Sequence, residues 1–293
     1  MSAEPIHVPV LVQEVMEILA VREEGTYVDA TVGLGGHAEE LLSRLGPHGR
    51  LAGIDRDEDA LGRARQRLDD KRVVLAQGGF SGMEGLLASL GIREIDGCLF
   101  DLGVSMMQLR EKERGFSFLS EERLDMRMDR GQGLTAWEVA NRYPEKELER
   151  VLREYGEEPF ARRIARALVQ RRKERPIATC AELAGVVAAV YGGRGKTHPA
   201  TRTFQAFRIE VNRELDELRT GLSSALAIMK RGGRLCVISY HSLEDRIVKN
   251  FMRDNAREGV VRLLTRKPVV PGLGETRRNP ASRSAKLRGA ERV

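Results

Sequence analysis

The sequence predicts an α/β protein whose parallel sheet is interrupted by an all-helical insertion. Three observations carry this. Strand-like and helix-like segments alternate strictly through the first hundred residues; only helical and loop patterns occur from about 109 to 205; and a core-strand pattern resumes at "GRLCVISYHS". Strict alternation of the two element types favours a parallel sheet covered by helices on both faces. The expected division is a first part of the sheet domain over 1–108, a helical domain over 109–205, and a second part of the sheet domain with a basic tail over 206–293.

The elements follow in order. "GTYVDATVG" is a short apolar, β-branched run ending in glycine and reads as a buried strand. "HAEELLSRLG" places Leu41, Leu42 and Leu45 on one helical face, with Gly46 as a stop. "RLAGIDRD" is the second strand and "EDALGRARQRL" a helix. "RVVLAQGGF" is the third strand and "SGMEGLLASLG" a helix. "IDGCLFDLG" is the fourth strand. In the insertion, Thr135 with Glu138 and Thr179 with Glu182 have capping-box spacing, so each pair opens a helix. "PEKELERVLREYG" begins with proline and ends with glycine, as a helix can. "EPFARRIARALVQRRKERP" is a long basic helix stopped by Pro176. From Thr203 to Lys230 the pattern fits one long helix or a broken pair, ending at Gly232-Gly233. After the resumed strand, "VVRLLTRKPVV" fits a final strand or an edge hairpin.

Composition narrows the class. The 293 residues are 41% apolar and 31% charged, as in water-soluble globular proteins. No run approaches the length of a membrane span. The N-terminal "MSAEPIHVPVLVQEV" has no basic segment followed by an apolar core, so no export signal is expected. Cys98, Cys180 and Cys236 are widely spaced and unpaired in pattern, which suits a reducing cytoplasm. No His/Cys/Asp cluster has metal-ligand spacing, and no catalytic metal is expected. The net charge is +6, yet residues 260–293 carry nine Lys/Arg against two Glu, so the rest of the chain sums to −1. A second basic cluster is "RRIARALVQRRKER" at 162–175. Positive charge concentrated in this way favours a nucleic-acid partner by neutralising phosphates; a solvated basic face is the competing reading.

The loop "DATVGLGGH" after the first strand sits where open parallel sheets bind ligands. Glycine there lets the chain turn sharply and approach a ligand. A Walker-type phosphate loop needs a lysine that this loop lacks, and the decoy "GRGKTHP" at 193–199 has Val190 in place of the first glycine. A dinucleotide fingerprint needs a third small residue where Glu39 stands. A third reading is S-adenosylmethionine. Asp29-x-Thr31-x-Gly33-x-Gly35 resembles the acidic, glycine-rich loop of Rossmann-like methyltransferases, with Thr31 replacing the first glycine. That cofactor has no pyrophosphate but has an ammonium, a sulfonium and a ribose, all suited to carboxylates. Asp55 lies 20 residues after Gly35, where it can accept from ribose hydroxyls or cap the next helix. Phe80 can cover an adenine or be ordinary core.

Asp101 ends the fourth strand, in "LFDLGVSMMQL". An exocyclic base amine is a poor nucleophile, because its lone pair is delocalised into the ring. An acceptor on its N–H bonds aligns that lone pair with the incoming methyl group. Asp101 can be this acceptor, can hold the amino group of the cofactor, or can be a strand-end turn residue. His241 and Ser242, in "SYHSLEDR", can face a substrate base, or His241 with Glu244 and Asp245 can cap the next helix.

The blocks "HVPVLVQEV", "YVDATVGLGGH", "GIDRD", "FDLGVS", "RGFSF", "LDMRMD", "HPATRTFQAFRIEVN", "GGRL", "SYHSLEDRIVK" and "NPASRSAKLR" stand in one order from residue 7 to about 291. In them the chain resembles the ribosomal RNA small subunit methyltransferase H (MraW) family. The resemblance implies a Rossmann-like S-adenosylmethionine-dependent methyltransferase fold with an all-helical insertion. It implies methylation of the N4 amine of a cytosine in the decoding region of 16S ribosomal RNA, acting on that RNA or the small subunit in the cytoplasm. Cofactor contacts carry over to Gly35, Gly36, His37, Asp55, Phe80, Asp101 and Gln108. Met106-Met107 depart from the residues usual after "DLGVS". Arg162, Arg163, Arg166, Arg202, Arg208, Arg277, Arg278, Arg283, Lys286 and Arg288 are candidate RNA contacts. A cytosine in structured RNA would be turned out of its stack to be reached. A methyltransferase acting on another amine and a non-catalytic RNA-binding assembly factor remain the alternatives.

Overall fold

The computed structural model describes residues 9–105, 108, 112–192 and 198–293. They form two compact units: the described residues up to Gly103 together with Leu215–Val293, and Val104–Glu214. In chain order the first unit opens with α1 (Val12–Leu19), β1 (Thr26–Asp29), α2 (Gly36–Ser43), β2 (Arg50–Asp55), α3 (Glu58–Arg67), β3 (Val73–Gln77), α4 (Met83–Ser89) and β4 (Ile95–Asp101). The second holds α5 (Ala136–Arg142), α6 (Glu145–Gly156), α7 (Ala161–Glu174), α8 (Cys180–Tyr191) and α9 (Thr201–Asn212). The first unit resumes with α10 (Glu214–Ile228), β5 (Met229–Ser239), α11 (Ser242–Arg257), β6 (Val261–Leu263), α12 (Leu273–Arg278) and β7 (Lys286–Arg292).

The sheet order is β3-β2-β1-β4-β5-β7-β6. Strands β1 to β5 pair in parallel, whereas β7 runs antiparallel between β5 and β6. One apolar layer includes Met83, Leu87, Phe100, Leu222 and Val248; another includes Leu11, Met16, Leu41, Leu61 and Leu287. Both faces are therefore covered, as an apolar parallel sheet requires.

The expected second boundary, 205/206, lies inside α9. Phe204, Ala206, Phe207 and Val211 on that helix are buried in the core of the helical unit. The long pattern from Thr203 is a broken pair, divided at Arg213, whose φ of 50° is left-handed. Both capping boxes are present, at Thr135/Glu138 and Thr179/Glu182. Gly156 does not stop α6 through a left-handed turn; Glu157 does, at φ 46°. A Cβ on Gly156 would meet the Arg202 carbonyl oxygen at 2.7 Å, so glycine is required by close packing.

"KLRGAER" contains three basic residues in seven and reads in sequence as part of a basic tail. It is β7, paired with β5 in the register Cys236↔Gly289 and Val237↔Arg288. Two contacts explain how so charged a segment enters a sheet. The Arg288 guanidinium Nε lies 2.7 Å from Asp245 Oδ1 and the Lys286 amine 3.3 Å from Oδ2. Gly289 leaves room for Ile18 of α1, whose side chain would collide with any Cβ there. The run at 261 is an edge strand, antiparallel to β7. Helix α1, unassigned from sequence, packs its buried Val15, Met16 and Leu19 against this end of the sheet.

Candidate functional site

Parallel pairing brings the carboxyl ends of β1, β2, β4 and β5 to one edge of the sheet. Three of them carry a carboxylate: Asp29, Asp55 and Asp101 end β1, β2 and β4. The loop after β1 is stitched to all three. The Gly33 amide donates to Asp55 Oδ2 at 2.8 Å, and the Asp57 amide to Oδ1 at 2.9 Å. The Thr31 amide donates to Asp29 Oδ1 at 3.1 Å. The Thr31 hydroxyl oxygen accepts from the Asp101 amide at 2.7 Å. Thr31 thus has a use that a first glycine would lack: it ties the β1 loop to the end of β4. Gly33 and Gly35 have φ of 51° and 81°, where glycine is favoured.

Burial is the main influence on two of these acids. It raises the Asp29 carboxyl to about 7, against the opposing pull of His37, and the Asp55 carboxyl to about 6. The charged form disfavoured in the fold is favoured in the unfolded chain. Each group therefore contributes stability that is full below pH 3.8 and is lost as pH rises through its folded value. The ligand-free protein is expected to lose stability on the order of a few kcal/mol between pH 5 and 8 from this pair. Thermal unfolding across that range should show the slope, and Asp29→Asn should flatten it. An equal slope in the variant would remove Asp29 as its source.

Asp101 is held from two sides. The Tyr240 hydroxyl donates to Oδ1 at 2.8 Å. His37, in the first turn of α2 and 5% exposed, places Nδ1 3.6 Å from Oδ2. Its Nε2 lies 2.8 Å from the Val10 carbonyl oxygen. Burial, then the Asp101 charge, push the Tyr240 hydroxyl well above 10, so it stays a donor. Sequence reading missed Tyr240. The available signal was its position directly after β5, beside the strand that ends in Asp101.

Of the two readings of His241, the structure shows the capping one. His241 is the N-cap of α11: its Nδ1 accepts from the Glu244 amide at 3.4 Å. Glu244 returns the bond, accepting from the amides of Tyr240 at 2.8 Å and His241 at 3.2 Å. His241 Nε2 is 3.1 Å from Glu244 Oε1. The capping alternative accounts for Nδ1, and Glu244 fixes the backbone that presents Tyr240. Ser242 is exposed at the start of α11.

Of the other candidates, Gly35 caps α2 and Gly36 begins it against Pro9, which a Cβ on Gly36 would meet at 2.7 Å. Phe80 follows β3 in a short 3-10 turn, edge-on to Phe100 at 5.4 Å and packed over Gly221; much of its ring serves the core. Gln108 is buried in the helical unit and exchanges hydrogen bonds with Ser105, in the manner of a capping box. Met106-Met107 lie outside the described residues, as do the central residues of "GRGKTHP".

The basic candidates separate into two groups. Arg288 is buried on Asp245, where Lys286 also lies, and Arg208 grips Glu214 at 2.8 and 2.9 Å. Arg288 and Arg208 are thus held by carboxylates within the fold, and Lys286 shares Asp245 with Arg288 while its side chain stays partly exposed. Arg162, Arg277, Arg278 and Arg283 are exposed with no ion-pair partner among the described residues. Arg163 stacks over Phe160 and donates to the Val190 carbonyl, Arg202 donates to the Glu157 carbonyl, and Arg166 is 3.9 Å from Glu145. All three remain exposed.

Three carboxylates at one sheet edge repel a pyrophosphate and attract hydroxyls and cations. The donor set therefore fits a ligand with a ribose and a positively charged amino-acid end. The family model described as the MraW methylase family matches residues 4–293. The "Ribosomal RNA small subunit methyltransferase H" of Persephonella marina is 50% identical over 292 residues, covering 98% of this chain and 99% of that protein. The protein of the same name from Caldicellulosiruptor bescii is 46% identical over 304 residues, again covering 98% and 99%.

Proposed function

Since the chain belongs to the MraW methylase family, we propose that it transfers the methyl group of S-adenosylmethionine to the N4 amine of a cytosine in the decoding region of 16S ribosomal RNA. Asp101 carries the reading: a carboxyl acceptor at the end of β4, oriented by Tyr240 and next to His37. Accepting an N–H of the cytosine amine, it draws the nitrogen lone pair out of conjugation and toward the methyl group. Asp55 receives the ribose hydroxyls, and the Gly35–Gly36–His37 turn lines the cofactor side. The cofactor supplies an electrophilic methyl group. Asp29 supplies negative charge beneath a cation. Exposed arginines of residues 104–214 and, separately, of the C-terminal segment are the candidate RNA contacts, in the cytoplasm. No described helix is long and apolar enough to cross a membrane.

The test is direct. Small subunits lacking the modification are incubated with labelled S-adenosylmethionine, and the RNA is digested to nucleosides. Label on cytosine N4 is expected. Label on a base carbon, a ribose or protein would overturn the reading. The surface arginines make a separate prediction. Arg277→Glu with Arg278→Glu should weaken subunit binding at least about tenfold near physiological salt and reduce its salt dependence, with cofactor affinity unchanged. Filter binding across a salt series measures both; an unaltered salt slope would take these residues out of the interface.

A further inference from the structure

We propose, resting on the amine-methylation reading above, that His37 receives through Asp101 the proton released by the substrate amine. The ring is fixed at both ends. The Val10 carbonyl oxygen, 2.8 Å from Nε2, can only accept, so Nε2 carries a proton. In the neutral ring, Nδ1 then presents its lone pair toward Asp101 Oδ2, 3.6 Å away. Lone pair against carboxylate is unfavourable. One added proton on Nδ1 turns the same 3.6 Å separation into an ion pair with the carboxylate. The pair is therefore arranged one proton short of its best state.

The surroundings hold this arrangement. Leu11, left-handed at φ 54° and 1% exposed, has its amide bound to Glu275 Oε1 at 2.8 Å, which fixes the backbone beside the Val10 carbonyl. Tyr240 binds Asp101 Oδ1, so the carboxylate meets His37 through Oδ2. Asp29 at the end of β1 also faces His37, and its charge favours the imidazolium. Tyr240 is a donor at Asp101 and offers no competing base there.

The step balances. The amine lone pair forms the N4–CH3 bond while the S–CH3 electron pair stays with the departing sulfur. The N4–H electron pair returns to nitrogen and restores conjugation with the ring. The proton passes to Asp101 and on to His37 Nδ1, leaving an imidazolium that still donates through Nε2 to Val10.

His37→Gln tests this, because a glutamine amide can still donate to the Val10 carbonyl but cannot take up a proton. Single-turnover methylation of unmodified small subunits should slow about 100-fold and acquire a solvent deuterium isotope effect absent from the wild type. Calorimetric affinity for S-adenosylmethionine should fall by far less than the rate, because His37 also lines the cofactor side. Independently of activity, ¹⁵N NMR of the ligand-free wild-type protein at mildly basic pH should show His37 as the Nε2-protonated tautomer. The opposite tautomer, a wild-type rate in the variant, or a rate loss matched by lost cofactor affinity would overturn the proposal. A silent His37→Gln beside an inactive Asp101→Asn would remove only this proton route. A fully active Asp101→Asn would remove the amine reading itself.

Discussion

Asp101→Asn is expected to reduce methyl transfer to unmodified small subunits by at least about 100-fold, while cofactor affinity changes less than about tenfold. Asparagine is nearly isosteric. Its amide oxygen can still accept from the Tyr240 hydroxyl, which lies 2.8 Å from Asp101 Oδ1 in the wild type. What it loses is the negative charge, and with it the capacity to accept from an amine that becomes acidic as the N–C bond forms. Stability should not fall, because the substitution removes a group whose charge opposes that of Asp29. The measurements are single-turnover rates, calorimetric binding of S-adenosylmethionine, and thermal unfolding on the same preparation. An affinity loss as large as the rate loss would assign Asp101 to the cofactor's amino group alone. A loss of folding would make it structural.

The second large effect is expected at Asp55. Asp55→Asn should weaken cofactor binding by about 10- to 100-fold, the equivalent of one or two hydrogen bonds to a charged acceptor. Part of the effect is local, because both carboxylate oxygens already accept backbone amides, from Gly33 and Asp57. An asparagine can satisfy only one of them, so the glycine loop shifts as well. The same residue predicts a pH dependence. Burial raises its carboxyl to about 6, so the acceptor is ionised at pH 8 and becomes protonated below about 6. Wild-type affinity should therefore fall as pH drops from 8 to 5.5, and the variant should be flatter. Calorimetry at four or five pH values is sufficient, and equal pH profiles would separate Asp55 from the cofactor.

How much was legible in the sequence varies by feature for physical reasons. The β/α alternation was readable because each buried parallel strand is a short apolar run and each covering helix has a three-to-four-residue period. Both capping boxes were readable because the two partners lie three residues apart in sequence. Asp55 and Asp101 were readable because strand ends can be located, and strand ends at one edge of a parallel sheet are where ligands bind. Strand β7 was missed because the carboxylate that receives Lys286 and Arg288, that of Asp245, lies 41 and 43 residues away in the chain. His241 was weighed as a catalyst because a histidine beside a strand end is ambiguous until its ring partners are known; Glu244 supplies them.

The sequence by itself determined the alternation of β1 to β4 with their helices, the interruption of the sheet, the glycine loop and the carboxylates at its strand ends, all of which depend on local pattern. Only the tertiary structure decided that Tyr240 holds Asp101, that His37 stands between Val10 and Asp101, that Thr31 joins β1 to β4, and that part of the basic tail is a strand. Each of these depends on groups between 27 and 139 residues apart meeting at bonding distance. Such meetings are set by sheet order and register, which bring together the ends of strands that no local period connects.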